Sequence, residues 1–327
     1  MNCGFFVRHF TERGTEVAIY DYAKYNEDLL HNKSIILCFT PAKQRALGFP
    51  TERHSYEKFK ARFPIVELND ISDMAAVIRK HTLTHFYTLT HGGSGDIYQF
   101  SNKAIWSGCK TIKHCVFDTR AKEADVYISI SHDLNRRYTT SVPVVPHIVD
   151  LPNTSEHLRK VLDIPEDATV VGRYGGFNEF DIPMAHAAII EFLKTHTTTY
   201  FLFMNTRPFF THPRILYLDK QVDMEYKTKF INTCDAMIHA RKDGETFGLS
   251  IAEFSMRNKP IITCPCGDLE HARILGEKGL YYKTKEDLLK ILTELPTLIK
   301  SREDWNAYRD YNPRAIMDVF KRACYDF

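Results

Sequence analysis

The sequence predicts an α/β protein of two domains, each a parallel sheet with helices on both faces. The chain has 327 residues, enough for two domains of about 150 residues each. Short apolar runs alternate with amphipathic stretches along most of the chain, which is typical of parallel α/β folds. A proline-rich segment, residues 142–152, separates the alternation into two halves.

The apolar runs predict ten strands. In the first half they are residues 3–7, 34–39, 85–89, 111–114 and 126–129. In the second half they are residues 169–172, 200–204, 215–218, 236–239 and 260–263. Amphipathic stretches predict helices at residues 16–24, 74–80, 183–194, 225–233, 248–257 and 285–295. The aromatic tail, residues 303–327, is also predicted to be helical.

The boundary between the domains follows from Pro143, Pro146 and Pro152. Three prolines in eleven residues favour an extended connection, because proline restricts the residue before it to extended backbone. We therefore expect one domain at residues 1–147, a second at 148–302, and a separate tail at 303–327.

Composition excludes several classes of protein. The net charge of +2 gives no sign of a nucleic-acid partner. The sequence shows no secretory signal and no apolar run long enough to span a membrane. Eight scattered cysteines indicate free thiols in a reducing compartment, and the lone C-x-C at Cys264 and Cys266 lacks partners at zinc spacing. We expect a cytoplasmic protein, peripheral to a membrane if it acts on a lipid.

The stretch most informative about chemistry is residues 243–253, which follows a predicted strand and opens a predicted helix. Glu245 and Glu253 lie eight residues apart, and Gly248 between them lets backbone approach a ligand at the helix start. A helix N-terminus favours an anion such as a diphosphate. Taken alone, the pattern fits surface or capping glutamates equally well.

Residues 235–263 resemble the E-x7-E signature of retaining GT-B glycosyltransferases, the group 1 or family 4-like enzymes. The matching segments are Glu245-Thr246-Phe247-Gly248-Leu249, Glu253-Phe254-Ser255-Met256 and Pro260-Ile261-Ile262. The resemblance implies that Glu245 contacts the donor sugar and Glu253 the ribose. It also implies that the amides of Phe247, Gly248 and Leu249 line the sugar–diphosphate site. Thr246 replaces the usual glycine.

Gly172 and Arg173 resemble the Gly-Arg with which the family begins its second domain. The resemblance implies that Arg173 neutralises the leaving diphosphate. The family has a lysine about five residues further on, whereas this chain has Asn178. One positive charge is therefore missing, and Arg241 or Lys242 of the neighbouring loop could replace it.

In the first half, the resemblance implies roles for Gly14 and His114. Gly14, in the run Arg13-Gly14-Thr15-Glu16, stands where the family places a glycine-rich loop near the donor diphosphate. His114 ends a predicted strand and would be a catalytic residue of the cleft, although a purely structural histidine is equally consistent with the sequence. The loop 91–96 and Asp118 are candidates for the acceptor side.

The family fold is two Rossmann-like domains facing a central cleft, with the last helix packing back on the first domain. The resemblance implies transfer of a sugar from a UDP- or GDP-sugar to a glycan, lipid-linked or other hydroxyl acceptor, with retention, as in polysaccharide biosynthesis. No D-x-D occurs in the sequence, so we expect neither a metal nor a cofactor beyond the donor.

Three alternatives stay open. One is a nucleotide-sugar-binding protein without turnover, and another is a nucleotide-sugar epimerase. The third is a nicotinamide-dependent oxidoreductase, disfavoured because neither half carries G-x-G-x-x-G.

Overall fold

A computed structural model describes residues 1–11, 14–49, 51–93 and 97–326. It confirms the predicted fold class, since the chain forms two compact units that each contain a parallel six-stranded sheet. The first unit comprises Met1–Ile148 and Asp310–Phe327, and the second comprises Val149–Arg309.

The sheet of the first unit has the strand order β3-β2-β1-β4-β5-β6, and all neighbours pair in parallel. Its strands are β1 (Asn2–Phe6), β2 (Lys33–Phe39), β3 (Ile65–Leu68), β4 (His85–Thr90), β5 (Lys110–Cys115) and β6 (Val126–Ser129). Its helices, apart from the tail, are α1 (Gly14–Asp28), α2 (Pro41–Ala46), α3 (Arg53–Arg62), α4 (Met74–His81), α5 (Lys103–Trp106) and α6 (His132–Tyr138).

The second unit repeats this topology. Its strands are β7 (Thr169–Tyr174), β8 (Thr199–Met204), β9 (Ile215–Leu218), β10 (Ala236–His239), β11 (Gly244–Glu245), β12 (Ile261–Thr263), β13 (Asp268–Leu269) and β14 (Gly279–Tyr281). The main sheet has the order β14-β12-β10-β7-β8-β9, while β11 and β13 form a separate ribbon. Its helices are α7 (Pro183–Phe192), α8 (Met224–Thr233), α9 (Leu249–Met256), α10 (Glu270–Leu275) and α11 (Lys285–Lys300).

All ten predicted strands are present, with ends that differ by at most two residues. The sequence missed the edge strands β3 and β14. A short edge strand is covered by fewer neighbours, so it has little of the continuous apolar character that identifies a buried parallel strand. In β3 only Leu68 is fully buried, and β14 is half-buried throughout.

The tail corrects one prediction. Residues 303–308 are not helical, and Tyr308 donates a hydrogen bond to the carbonyl of Phe247 within the second unit. The helix α12 (Pro313–Cys324) begins only after Asn312, whose side chain caps it. Pro313 takes the first helical position, for which proline is well suited. Within the first unit, Phe320 of α12 stacks on Tyr22 of α1.

The strand orders locate the ligand crevice expected in each sheet. In open α/β sheets, ligands bind beyond the carboxyl ends of the strands where the strand order reverses. That point lies between β1 and β4 in the first unit and between β7 and β10 in the second. Across the described residues, no helix combines the length and apolar character needed to cross a bilayer.

Candidate functional site

The loop between β10 and α9 carries the predicted motif and begins at the reversal point of the second sheet. Gly248 has φ of 83° and ψ of 67°, the left-handed conformation, and caps the start of α9. A β-carbon there would be 3.3 Å from the side chains of Glu245 and Ile251. The chain therefore turns sharply from Glu245 into the helix, and glycine permits that turn without strain.

The ribbon of β11 and β13 fixes the backbone of Glu245. Gly244 pairs with Asp268 and Glu245 with Leu269, and the amide of Asp268 donates to the carbonyl of Asp243 at 2.7 Å. Gly244 has φ of 63°, and a β-carbon on it would be 2.2 Å from the carbonyl oxygens of Cys266 and Asp268. Two loops cross here too closely for any side chain.

Two basic groups hold the carboxylate of Glu245. Nε2 of His239 lies 3.3 Å from Oε1, and Arg241 donates to Oε2 at 3.1 Å. Burial alone would raise the pKa of Glu245, but His239 and Arg241 outweigh it and hold the pKa below its ordinary value. Glu245 is therefore an anion near neutral pH, with its orientation fixed from two sides and lone pairs left for a ligand's hydroxyl groups.

Arg241 also binds a second carboxylate. Its Nη2 lies 3.3 Å from Oε1 of Glu179, in the loop after β7, so one guanidinium joins Glu179 and Glu245. The amide of Gly176 donates to Oε2 of Glu179 at 3.2 Å. Because β7 and β10 are neighbours, these contacts cross the reversal point of the sheet.

Glu253 is buried on α9 beside a lysine. Nζ of Lys227, on α8, lies 3.6 Å from Oε1 of Glu253 and 5.1 Å from the ring centre of Tyr174. The hydroxyl of Tyr174 is buried without a hydrogen-bond partner among the described residues. A buried carboxylate, a lysine and a hydroxyl group with unused capacity suit a polar ligand group such as a diol.

Arg173 is buried and makes hydrogen bonds within the protein. Its guanidinium donates to the carbonyls of Asn205 and Gly176 and to the hydroxyl of Thr206. Burial lowers the pKa of Arg173 to about 10, against the opposing effect of Glu179, so the group stays charged at neutral pH. The side chain thus ties the loop after β7 to the loop after β8.

The other predicted residues of the second unit fall around this loop. Gly172 lies inside β7, where a β-carbon would be 2.2 Å from Sγ of Cys234. Thr246 and Phe247 are buried, Leu249 opens α9, and Asn178 is exposed. Five of the predicted residues lie together simply because they are consecutive in the chain: Glu245, Thr246, Phe247, Gly248 and Leu249. Glu253 lies on the side of α9 that contacts Lys227.

In the first unit, His114 is fully buried within β5. Its Nδ1 lies 2.8 Å from the hydroxyl of Tyr87, and its ring centre is 6.3 Å from that of His147. Desolvation lowers the pKa of His114 well below its ordinary value and that of His147 to about 4. Both rings are therefore neutral at pH 7, and His114 contacts Tyr22 and Tyr87 rather than solvent.

These buried histidines predict acid sensitivity. His147 takes up a proton near pH 4 when folded but near 6.5 when unfolded, so the free energy of unfolding falls as pH falls through that window. His271 of the second unit behaves alike. For each of these two rings, we expect the free energy of unfolding to fall by about 1 kcal/mol as the pH is lowered from 7.5 to 5.5. Urea unfolding at both pH values measures this, and His147→Leu should show a smaller loss. An equal loss in the variant would contradict the prediction.

Gly14 is the first residue of α1, and Arg13 lies outside the described residues. Two residues later Glu16 is buried, with its carboxylate accepting from the hydroxyls of Thr11 and Thr15 and lying 2.7 Å from Nδ1 of His9. The first turn of α1 therefore already holds a negative charge, where the family resemblance implied a loop near a diphosphate.

The remaining candidates of the first unit belong to one loop region. The carboxylate of Asp118 is bound by Arg120, whose charge and hydrogen bonds lower the pKa of Asp118. Residues 94–96 of the predicted 91–96 loop lie outside the described residues. Where the chain is described, no three metal-ligating side chains cluster as a metal site would require, and the cysteines are free thiols.

Comparisons with known proteins place the fold. No protein-family model and no curated protein matches this sequence. Solved structures do match over nearly the whole chain. HepE of Anabaena, solved with UDP-glucose, has a TM-score of 0.73 at 13% identity, over 99% of this chain and 98% of its own. A glycosyltransferase from Rickettsia africae has a TM-score of 0.66 at 14% identity, over 98% and 94%.

A third match belongs to a different class of enzyme. A candidate UDP-N-acetylglucosamine 2-epimerase from Listeria monocytogenes has a TM-score of 0.61 at 11% identity, over 100% of this chain and 97% of its own. Structural neighbours of both classes match nearly the whole chain, which therefore has the GT-B fold of two Rossmann-like domains.

Sequence reasoning missed four ionisable residues of these clusters: Glu16, Glu179, Lys227 and His239. His239 was recognisable, because it ends a predicted strand at the edge where ligands bind. Lys227 gave no signal, since its contact with Glu253 depends on where the fold places α8 relative to α9.

Proposed function

We propose that this protein is a glycosyltransferase that moves a sugar from a nucleoside-diphosphate sugar to a hydroxyl acceptor, with retention of configuration. The observation that carries the proposal is the fixed carboxylate of Glu245, held by His239 and Arg241 beside the glycine-capped start of α9. The position is the reversal point of a doubly wound sheet, where such folds bind nucleotides. HepE, with the same fold, binds UDP-glucose.

In this mechanism Glu245 accepts hydrogen bonds from the sugar hydroxyls, and Glu253 accepts them from the ribose. The diphosphate lies toward the amides at the start of α9, where the helix dipole favours negative charge. The bond from the anomeric carbon to the diphosphate oxygen breaks as positive charge develops on the sugar. The acceptor oxygen then bonds to the same face, and its proton passes to the departing phosphate.

The proposal requires no metal, because amides and basic side chains stabilise the leaving group. Arg173 contributes long-range positive charge rather than a direct contact, since its hydrogen bonds go to protein oxygens. The donor is a UDP- or GDP-sugar, and the acceptor is a glycan or a lipid-linked hydroxyl.

The nucleotide half of the proposal predicts a defined loss of binding. We expect UDP or GDP to raise the melting temperature of the wild type, because a ligand that binds only the folded state stabilises it. Glu253→Gln should weaken the binding of that nucleotide about 10–100-fold, since hydrogen bonds to a charged group contribute about 1.5–3 kcal/mol. The measurement is a thermal-shift titration with UDP, GDP, ADP, CMP and NAD.

The matched control is Glu294→Gln, which removes an exposed glutamate on α11. It should leave the titration unchanged. A response to NAD alone would favour an oxidoreductase, and equal affinity in wild type and Glu253→Gln would remove the ribose role from Glu253.

Epimerisation is the second candidate function, favoured by the similarity to the Listeria protein. Incubating the protein with UDP-sugars and no acceptor separates the two, since an epimerase then yields an isomeric UDP-sugar, whereas a transferase releases UDP only after an acceptor is added. Nucleotide-sugar binding without turnover is a third candidate, supported by Asn178, which stands where the resembling family has a lysine. Activity that appears only in Asn178→Lys would support this third candidate.

A further inference from the structure

A backbone amide and a guanidinium converge on one carboxylate at the reversal point of the second sheet. Gly176 donates its N–H to Oε2 of Glu179 at 3.2 Å, and Nη2 of Arg241 lies 3.3 Å from Oε1. An amide in a glycine loop and an arginine fork are the groups with which proteins bind phosphate oxygens. Here an internal anion occupies them.

The carboxylate is well placed to be exchanged. The side chain of Glu179 is 42% exposed, whereas that of Arg241 is 20% exposed and that of Glu245 is 17% exposed. Glu179 can therefore rotate into water, while Arg241 stays held by Glu245. An incoming oxyanion would restore every hydrogen bond that Glu179 gives up.

We propose that Glu179 is a resident carboxylate occupying an oxyanion subsite, from which a phosphate group of the ligand displaces it. The subsite comprises the amide of Gly176 and the guanidinium of Arg241. Its identification with the donor diphosphate rests on the proposed function. In the bound state Arg241 bridges the ligand phosphate and Glu245, so one side chain connects the diphosphate with the carboxylate assigned to the sugar.

Charge explains why Glu179 must leave. Left in place, it would stand beside a diphosphate and repel it, and two anions would compete for the same donors. Arg241 is shared between two carboxylates when no ligand is bound, and after the exchange it is shared between Glu245 and a phosphate. Glu179 thus lowers the affinity for free phosphate compounds, because each must first displace it.

Two substitutions of Glu179 remove the competing charge in different ways. Glu179→Gln keeps the shape of the side chain and removes its charge. Glu179→Ala removes the carboxylate together with the rest of the side chain and leaves the amide of Gly176 uncovered. Gly176 itself stays unchanged, because a β-carbon on it would be 2.5 Å from Oε2 of Glu179, the position that a ligand oxygen takes.

The test is calorimetric titration of the full chain with inorganic pyrophosphate and, separately, with UDP, at constant ionic strength. We expect Glu179→Gln and Glu179→Ala each to bind pyrophosphate about 3–10-fold more tightly than wild type, because the competing carboxylate is gone. The control Glu294→Gln changes net charge equally and should bind as wild type does. Combining Glu179→Gln with Arg241→Gln should abolish the gain, which assigns it to Arg241.

Unchanged or weaker pyrophosphate binding in both Glu179→Gln and Glu179→Ala would overturn the proposal. So would a gain that persists after Arg241→Gln, because the effect would then be long-range charge alone. If pyrophosphate binds more tightly in both variants but UDP binds to none, the subsite stands and the proposed donor is wrong. Melting curves of each variant verify that it is folded.

Discussion

Glu245→Gln is expected to lower the rate of sugar transfer by about 10²–10³-fold while leaving UDP affinity within about threefold of wild type. Removing one preorganised electrostatic group from a reacting centre typically costs that much. The glutamine keeps the size of the side chain but loses the negative charge that His239 and Arg241 hold in place. The charge should matter most as the anomeric carbon becomes positive, so kcat should fall more than binding.

The measurement is UDP release from a panel of UDP-sugars with mixed glycan acceptors, together with UDP affinity by calorimetry. Glu294→Gln serves as the control and should retain full activity. A kcat within threefold of wild type would remove Glu245 from the reacting centre. An equal loss of UDP affinity and of rate would assign Glu245 to nucleotide binding instead.

Gly244→Ala is expected to destabilise the second unit by about 3 kcal/mol or more. The substitution combines a left-handed backbone, which costs a non-glycine residue about 1–2 kcal/mol, with overpacking that typically costs another 1–3 kcal/mol. The new β-carbon would be 2.2 Å from two carbonyl oxygens, and backbone cannot move aside as a side chain can. Relief requires β11 and β13 to separate, which would release Glu245.

Urea unfolding measures the change, and Gly108→Ala is the control. Gly108 also has a positive φ, 79°, but a β-carbon on it would meet nothing within 4 Å. The control should lose only the backbone term, about 1–2 kcal/mol. Similar losses in the two variants would show that the loops can separate without cost, and the ribbon would not be what fixes Glu245.

The alternation of apolar and amphipathic segments determined the fold class. Buried parallel strands must be apolar on both faces, so β1, β2, β7 and β10 were legible from sequence alone. The eight-residue spacing of Glu245 and Glu253 likewise identified the loop and helix around Gly248, because that geometry is local. The turn at Gly248 and the start of α9 depend on residues that are close together in the chain.

Only the tertiary structure decided what the charged side chains contact. Arg173 was predicted to bind a diphosphate, yet its guanidinium binds the carbonyls of Asn205 and Gly176. For His114 the sequence left open a residue of the cleft or a structural histidine, and the structure buries it against Tyr87. Arg241 joins Glu179 to Glu245 only because β7 and β10, distant in sequence, are adjacent in the sheet. Local sequence fixes a backbone conformation, whereas the partner of a long side chain depends on which distant strands the fold makes neighbours.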